Sequence, residues 1–149
     1  MPQFTMKSPV GFLTVTEDNG AITSLRFGGE GETPPATPFL QEVQRQLSAY
    51  FGGTLTAFDL PLAPKGTPFQ KAVWQMLRTI PYGETRSYGE IAAAVGNSKA
   101  CRAVGMANHA NPIAIIIPCH RVVGKDGKLT GYAGGPERKQ VLLELEQKK

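Results

Sequence analysis

One short stretch places a nucleophile next to a potential base. Cys119 and His120 stand side by side after Pro118, behind the aliphatic residues 115–117. The aliphatic residues predict a short buried strand, and Pro118 predicts that the strand ends or bends there because proline cannot donate to a sheet ladder. A thiol at this place is either a nucleophile in a pocket or a buried structural cysteine. The rest of the chain has to distinguish these two interpretations.

The nucleophile hypothesis needs a base that lowers the barrier to forming the thiolate. His120 is the nearest candidate, but adjacent residues of a strand point to opposite faces. Contact between His120 and Cys119 therefore requires a bend or a bridging water. Glu144 and Glu146 are both candidate carboxylates to orient the imidazole, as in a nucleophile–base–orienter triad. The residues alone leave the choice between the two open.

A metal site is an alternative use of the same side chains. The chain contains four potential ligands, Cys101, His109, Cys119 and His120. Structural zinc sites use closely spaced cysteine pairs and a histidine pair, and this spacing does not match. Two adjacent ligands at the end of a rigid strand would also strain one tetrahedral site. We therefore expect no metal ion, and no cofactor motif is present.

The charge is distributed unevenly along the 149 residues, which are enough for one domain or two small ones. Residues 1–64 carry three basic and six acidic side chains, whereas residues 65–149 carry thirteen basic and six acidic ones. The sign of the charge changes in a segment with three prolines, residues 61–68. We predict a scaffold domain over 1–64 and a second, basic domain over 65–149. The basic half favours a polyanionic partner, although it is also compatible with an ordinary solvated surface.

The cysteine count and the N-terminal segment bear on the compartment. The chain has only two cysteines, too few for a disulfide framework, and such a low cysteine count is typical of proteins in a reducing environment. Residues 1–10 are too polar for a secretory signal, and no apolar stretch is long enough to cross a bilayer. We expect a soluble, cytoplasmic protein that does not bind membranes.

The N-terminal half shows strand and turn patterns. Residues 10–16 and 21–27 are rich in β-formers and flank an Asp-Asn-Gly turn, so they predict an antiparallel hairpin. A helix is predicted over 38–51, with Thr37 as its N-cap. Residues 55–62 predict a further strand.

The C-terminal half is mainly helical by its apolar spacing. Thr67 and Gln70 have the spacing of a capping box and open a helix that is predicted to reach about residue 79. Trp74 on this helix is interpreted as a core residue. A final amphipathic helix is predicted over 138–147, with three residues directed inward: Val141, Leu142 and Leu145.

Two short helices lie between these elements. Thr85 or Ser87 is predicted to cap the first, over 88–95, and Ser98 to cap the second, over 99–108. A pair of short helices in a basic region, joined by a turn that contains glycine, is compatible with a helix-turn-helix. The second helix carries Lys99 and Arg102 among small residues, which would let it lie close to a groove or to a neighbouring helix.

These segments resemble one family. The hexapeptide Pro118-Cys119-His120-Arg121-Val122-Val123 is similar to the active-site signature of the O6-alkylguanine-DNA alkyltransferases, the methylated-DNA–protein-cysteine methyltransferases. The similarity covers residues 66–147 in detail. Five more segments match in the family's order and spacing: Pro81-Tyr82-Gly83-Glu84-Thr85, Ser87-Tyr88, Arg102-Ala103-Val104-Gly105, Asn111-Pro112 and Gly131-Tyr132-Ala133-Gly134-Gly135.

The resemblance implies a fold, a reaction and a partner. The fold is α+β: a ribonuclease-H-like N-terminal domain with a small antiparallel sheet and a helix, then a mainly helical domain with a helix-turn-helix. The partner is double-stranded DNA with an O6-alkylguanine, bound through the minor groove with the damaged nucleotide flipped out. The alkyl group moves to Cys119 once per molecule. No cofactor and no obligate protein partner are implied.

The resemblance also implies roles for individual residues. Cys119 accepts the alkyl group, and His120, acting through water and oriented by Glu146, helps to form the thiolate. Asn111 ties the recognition helix to the active-site segment. Tyr88 crowds the target phosphate and hydrogen-bonds the base. Arg102 fills the vacated stack. The resemblance implies two further sets of residues. The DNA-binding set is Arg102, Ala103, Cys101, Lys99 and Ser98, and the pocket-lining set is Pro118, Val122, Tyr132, Ala133 and Gly134.

Two departures from the family pattern are visible. Ala133 stands where some members have serine, so an O6 contact there would come from the backbone N–H. Cys101 stands where small residues such as alanine are usual. The retained Cys119 argues against an inactive relative that lacks the reactive cysteine. The alternatives are a Cys–His hydrolase and a non-catalytic helix-turn-helix DNA-binding protein.

Overall fold

The computed structural model describes residues 1–124, 132 and 134–147. The chain forms two compact units. Residues 1–65 and 112–114 make up the first, and residues 66–111 with the described residues from 115 onward make up the second. The division into domains 1–64 and 65–149 stays a prediction. No helix among the described residues has the length and apolar character needed to span a membrane.

The first unit is a three-stranded antiparallel sheet with one helix. Its strands β1 (Gln3–Ser8), β2 (Gly11–Asp18) and β3 (Ala21–Phe27) pair in the order β1-β2-β3. The predicted hairpin is confirmed: Asn19 and Gly20 both have positive φ, 52° and 78°, as the two-residue turn between twisted strands requires. The predicted helix is also confirmed as α1 (Pro38–Phe51), where the Thr37 hydroxyl accepts from the Leu40 N–H.

The core of the first unit is apolar and comes from both the sheet and α1. Every third or fourth residue of α1 is buried, which gives this helix one apolar face. Burial of such side chains stabilises by roughly 1.5–3 kcal/mol each relative to exposure. The fully buried side chains include Phe4, Leu13, Val15, Ile22, Leu40, Val43, Leu47 and Tyr50.

The strand predicted over 55–62 is wrong. Only Leu62 bridges to the sheet, beside Ile22, and the rest of the segment is irregular. Pro61 and Pro64 have no N–H to donate, so a ladder cannot continue on either side of this bridge. The segment is held by hydrogen bonds to the side chain of Gln46, which accepts from the Asp59 N–H and donates to the Asp59 carbonyl.

The second unit contains four helices and one short parallel strand pair. The helices are α2 (Pro68–Leu77), α3 (Tyr88–Ala94), α4 (Cys101–His109) and α5 (Pro136–Gln147). The strands β4 (Arg86–Ser87) and β5 (Val122–Val123) pair in parallel. The capping box of Thr67 and Gln70 is confirmed. Trp74 is buried as predicted, and its indole N–H donates to the Ala107 carbonyl at 2.8 Å, which fixes α2 against α4.

The helix pair α3–α4 has one predicted cap and lacks the other. Ser87 caps α3 and forms a capping box with Glu90. Ser98 does not cap α4, because that helix begins only at Cys101, and Ala100 at its N-cap makes no side-chain bond. Instead, Asn97 Oδ1 accepts from the Lys99 N–H, which holds the chain in a turn and delays the helix start.

The buried strand predicted over 115–117 is also wrong. These residues are buried but form turns, and Ile115 has a φ of 70°. The Ile117 carbonyl accepts from Asn111 Nδ2 at 2.9 Å and from the Cys119 N–H at 2.7 Å, and neither bond belongs to a sheet ladder. Cys119 then opens a 3₁₀ turn (Cys119–Arg121) that leads into β5.

The face of α5 that points inward differs from the prediction. Leu142 is fully buried as expected, but Val141 is 38% exposed and Leu145 is half-buried. Lys139 and Glu146 take their place on the buried face. These two charges lie three residues before and four residues after Leu142, so all three share one side of the helix.

Candidate active site

The Cys119 thiol is buried at the start of the 3₁₀ turn, with 2% of the residue exposed. Two asparagines hold it. Asn111 Nδ2 lies 3.1 Å from Sγ and also bonds the Ile117 carbonyl, while Asn108 Nδ2 donates to the Cys119 carbonyl at 3.3 Å. The thiol is therefore placed by side-chain donors from the end of α4 and the residues that follow it.

Burial and the neighbouring polar groups act in opposite directions on the ionisation of the Cys119 thiol. Burial raises its pKa to about 11, because a thiolate loses its hydration there. The Asn111 hydrogen bond and the positive charge of Lys139 both act in the opposite direction and lower that pKa. A reaction through the thiolate therefore depends on groups that favour the charged form at the moment of reaction.

His120 and Glu146 form a buried pair. His120 Nε2 lies 2.6 Å from Glu146 Oε2, and both side chains are fully buried. Burial lowers the pKa of His120, although the Glu146 carboxylate acts to raise it. A neutral imidazole beside a carboxylate donates from Nε2, so its lone pair is on Nδ1. Among the described residues, His120 Nδ1 has no hydrogen-bond partner, which leaves it available as a proton acceptor.

Arg121 completes this pair with a second charge. Its Nε and Nη2 donate to the two oxygens of Glu146 at 2.9 and 3.0 Å, and Nη1 donates to the Ile80 carbonyl at 2.7 Å. The guanidinium thus binds the carboxylate in a bidentate geometry. Arg121 thus balances the charge of Glu146, and the carboxylate orients the imidazole without an uncompensated negative charge in the interior.

The structure distinguishes the two candidate carboxylates. Glu146 contacts His120, whereas Glu144 is exposed and accepts from Gln140 Nε2 at 2.7 Å. The reason is helical periodicity: Glu146 shares the buried side of α5 with Leu142, four residues earlier, and Glu144 does not. Sequence reasoning missed Asn108, Arg121 and Lys139 as parts of the site, and the seven-residue spacing of Lys139 and Glu146 is the signal that could have found the last.

Two of the predicted pocket residues adjoin the same turn in the chain, and two more are buried or half-buried elsewhere in the second unit. Pro118 and Val122 are buried on either side of it, Tyr132 is 6% exposed, and Gly134 is half-buried. Ala133 lies outside the described residues. Tyr88, the first residue of α3, is half-buried, and Tyr88 and Tyr132 each place their ring centroid 6.0 Å from the Lys139 ammonium.

The predicted DNA-binding residues lie on the solvent-facing side of the helix pair. Val104, Ala107 and Asn108 of α4 face inward, so Arg102 on the other side is free to point outward. All the predicted contacts on α4 and in the turn before it are exposed, namely Ser98, Lys99, Cys101, Arg102 and Ala103. No group of three or more His, Cys, Asp or Glu side chains within residues 1–124, 132 and 134–147 is placed to hold a metal ion.

Comparison with known protein families covers nearly the whole chain. Residues 3–64 match the model of the "6-O-methylguanine DNA methyltransferase, ribonuclease-like domain", and residues 68–148 match that of the "6-O-methylguanine DNA methyltransferase, DNA binding domain". The chain belongs to the 6-O-methylguanine DNA methyltransferase family. The α+β fold class expected from the sequence, with a ribonuclease-like domain and a helix-turn-helix domain, is thereby confirmed.

Individual relatives in this family are similar over nearly their full length. A methylated-DNA–protein-cysteine methyltransferase from Methanosarcina acetivorans is 52% identical over 148 residues, which cover 94% of each chain. The crystal structure of Mycobacterium tuberculosis O6-methylguanine methyltransferase has a TM-score of 0.89 at 51% identity, covering 99% of this chain and 93% of that one. A crystal structure of the M. tuberculosis protein in complex with DNA also has a TM-score of 0.89, at 52% identity and 96% and 91% coverage.

Proposed function

We propose that this protein repairs DNA by moving an alkyl group from O6 of guanine to Sγ of its own Cys119, once per molecule. The observation that carries the proposal is the buried Cys119 thiol, held by Asn111 Nδ2 beside the His120–Glu146 pair. This arrangement lies inside the segment that matches the family's DNA-binding domain. Close relatives bear the name of this activity over nearly their full length.

The chemistry of the step suits these groups. Displacement at an alkyl carbon requires a soft, strong nucleophile, and a thiolate is such a group. The S–C bond forms as the C–O6 bond breaks, and the bonding electron pair leaves with guanine. The thiol proton ends on the guanine, so the products are an S-alkyl cysteine and a normal base. A thioether has no easy route to hydrolysis, which limits each molecule to one transfer.

His120 is the group that helps to remove the thiol proton in this proposal. Its Nδ1 carries the lone pair because Nε2 is committed to Glu146, and a water between Nδ1 and Sγ relays the proton. Glu146 stabilises the imidazolium that forms for a moment, and Arg121 donates to both Glu146 oxygens. Asn111 contributes a hydrogen bond that favours the thiolate.

The helix pair α3–α4 holds the DNA in this proposal. Arg102, exposed on α4, fills the space of the flipped nucleotide, and Tyr88 contacts the target phosphate and base. The exposed Ser98, Lys99, Cys101 and Ala103 supply further contacts along the minor groove. Double-stranded DNA is thus the macromolecular partner, and a relative at 52% identity has been crystallised with DNA.

The flipped base is placed against the residues around the 3₁₀ turn. Pro118 and Val122 are buried next to Cys119 in the chain, and we propose that Tyr132 and Gly134 line the other side of the base. Ala133 is proposed to donate its backbone N–H to O6. The compartment that suits a free, reactive thiol is reducing, so we also propose a cytoplasmic location.

The test is intact-protein mass spectrometry after incubation with a duplex that contains one O6-methylguanine. We expect one added methyl group per molecule, on the peptide that contains Cys119 and not on the one that contains Cys101. Cys119→Ser should bind the same duplex without any gain in mass. An unchanged mass in the wild-type protein, with a reduced thiol and an intact lesion, would instead indicate a non-catalytic DNA-binding protein.

A further inference from the structure

Lys139 is a buried charge that the proposed mechanism does not use. Its residue exposure is 0%, although lysine is almost never fully buried unless it has a partner or a function. Its place on α5 is fixed by the stripe of Lys139, Leu142 and Glu146, which packs against the Cys119–Arg121 turn. The same helix face therefore presents one positive and one negative group to the residues of that turn.

Two aromatic rings flank the Lys139 ammonium. Nζ lies 6.0 Å from the centroid of Tyr88 and 6.0 Å from that of Tyr132. At this distance the negative face of each ring attracts a cation, and the attraction is stronger where water is excluded. Three elements thus converge on one ammonium: the start of α3, the segment before α5, and α5 itself.

The ammonium also lies on the helix that packs against the turn of the Cys119 thiol, and the two groups influence each other's charge. The charge of Lys139 lowers the pKa of Cys119, and the charge of Cys119 raises the pKa of Lys139. Burial acts against Lys139 more strongly and lowers its pKa to about 8. The ammonium is therefore charged at neutral pH, next to a sulfur whose negative form it favours.

We propose that the Lys139 ammonium, held between the rings of Tyr88 and Tyr132, is the electrostatic partner of the Cys119 thiolate. The inference rests on the proposed alkyl transfer and adds a residue to it. His120 is the proton acceptor, while Lys139 keeps its own proton and stabilises the charge that the sulfur gains. The ammonium is not consumed, because the S-alkyl product is neutral.

The test measures the reactivity of Cys119 itself and needs no DNA. Iodoacetamide alkylates thiolates, and peptide mass spectrometry reports the rate at Cys119 separately from the rate at Cys101. Rates are measured from pH 6.5 to 9.5 for wild type, Lys139→Met, Lys139→Gln and Lys139→Arg, with the fold checked by circular dichroism. Lys71→Met, which removes an exposed lysine of α2, is the matched control.

The expected pH profiles follow from the sign of the charge. In wild type, log rate rises by one per pH unit up to about pH 8, where Lys139 begins to lose its proton, and then flattens before it rises again. Lys139→Met and Lys139→Gln should react about tenfold more slowly at pH 7, because one unit of thiol pKa is a tenfold change in thiolate. Both should rise without the flattening. Lys139→Arg should keep the fast neutral rate and also lose the flattening, since arginine does not deprotonate.

The groups that interact with Lys139 among the described residues include Tyr88, Tyr132, Cys119 and His120. His120 does not produce the same profile, because its pKa is lowered and its change of charge falls below this range. Wild-type rates and a retained flattening in Lys139→Met and Lys139→Gln would overturn the inference. If neither neutral variant folds, the comparison of wild type with Lys139→Arg decides, and a flattening that persists in Lys139→Arg refutes it. A protein that passes this test but gains no methyl group from DNA would contradict the proposed function alone.

Discussion

At the scale of single residues, the site depends on a buried carboxylate that serves two partners. Glu146 accepts from both Arg121 and His120, and all three are almost completely buried. Removing one member of such a group leaves another charge without compensation, which costs more than the pair itself contributes. The orientation of the imidazole and the stability of the second unit are thus coupled through one side chain.

We expect Glu146→Gln to lower the free energy of unfolding by about 3–5 kcal/mol, because it leaves the Arg121 guanidinium buried beside a neutral amide. Urea unfolding at pH 7 measures the change. Glu144→Gln, the matched exposed carboxylate, should change it by less than about 0.5 kcal/mol. A stability of Glu146→Gln equal to wild type would contradict the buried charge pair. Adding Arg121→Met to Glu146→Gln should recover part of the loss.

Residue-level chemistry could be predicted from the sequence only in part. The thiol and its neighbouring histidine stand out as residue types, and the family's hexapeptide adds their roles. The contact between His120 and Glu146 joins residues twenty-six positions apart, so it depends on how α5 rotates against the 3₁₀ turn. Lys139 and Glu146 are buried although they are charged, so the spacing of apolar residues does not identify the inward face of α5, and Val141 is exposed.

At the scale of elements, the strand predictions failed wherever side chains replaced the sheet ladder. Asn111 satisfies the Ile117 carbonyl, and Gln46 satisfies the backbone of Asp59. Neither hydrogen bond can be predicted from the residues that are adjacent in the sequence. Helix caps and the Asn19–Gly20 turn can be predicted because their hydrogen-bonding groups lie within a few residues of each other. Ser98 is an exception, because a competing turn at Asn97 delays the start of α4.

Helix α4 presents Arg102 to solvent, and its function can be separated from the chemistry at Cys119. We expect Arg102→Ala to slow methyl transfer from duplex DNA by at least about tenfold, since Arg102 is the side chain that we propose to fill the vacated stack. Transfer from the free O6-methylguanine base should change by less than about twofold. Single-turnover rates on both substrates measure the difference, and equal losses would exclude a role specific to the duplex.

At the scale of the whole molecule, charge is separated along the chain. The thirteen basic side chains of residues 65–149 outnumber the acidic ones by seven, whereas residues 1–64 have an acidic excess of three. A polyanion is therefore attracted to one part of the sequence only. Phosphate neutralisation releases counterions, which makes DNA affinity fall with salt.

The salt dependence can be assigned to individual cations. We expect log affinity for duplex DNA to fall linearly with log salt, and Lys99→Gln to make that slope shallower by about one. Fluorescence anisotropy between roughly 50 and 200 mM salt measures it. Lys7→Gln, an exposed lysine in the acidic part of the chain, should leave the slope unchanged. A slope that is identical in Lys99→Gln and wild type would place the DNA elsewhere.

The bonds between Leu25 and the segment 112–114 have a consequence for the order of synthesis. The Leu25 N–H donates to the Pro112 carbonyl at 2.9 Å, and the Leu25 carbonyl accepts from the Ala114 N–H at 3.0 Å. Strand β3 therefore has an open edge until the ribosome has made the chain as far as residue 114. A nascent chain that ends at residue 65 has all the apolar side chains of the sheet but lacks the last backbone partner of Leu25. The first unit is thus encoded in two places, and it is completed only after most of the second unit has been translated.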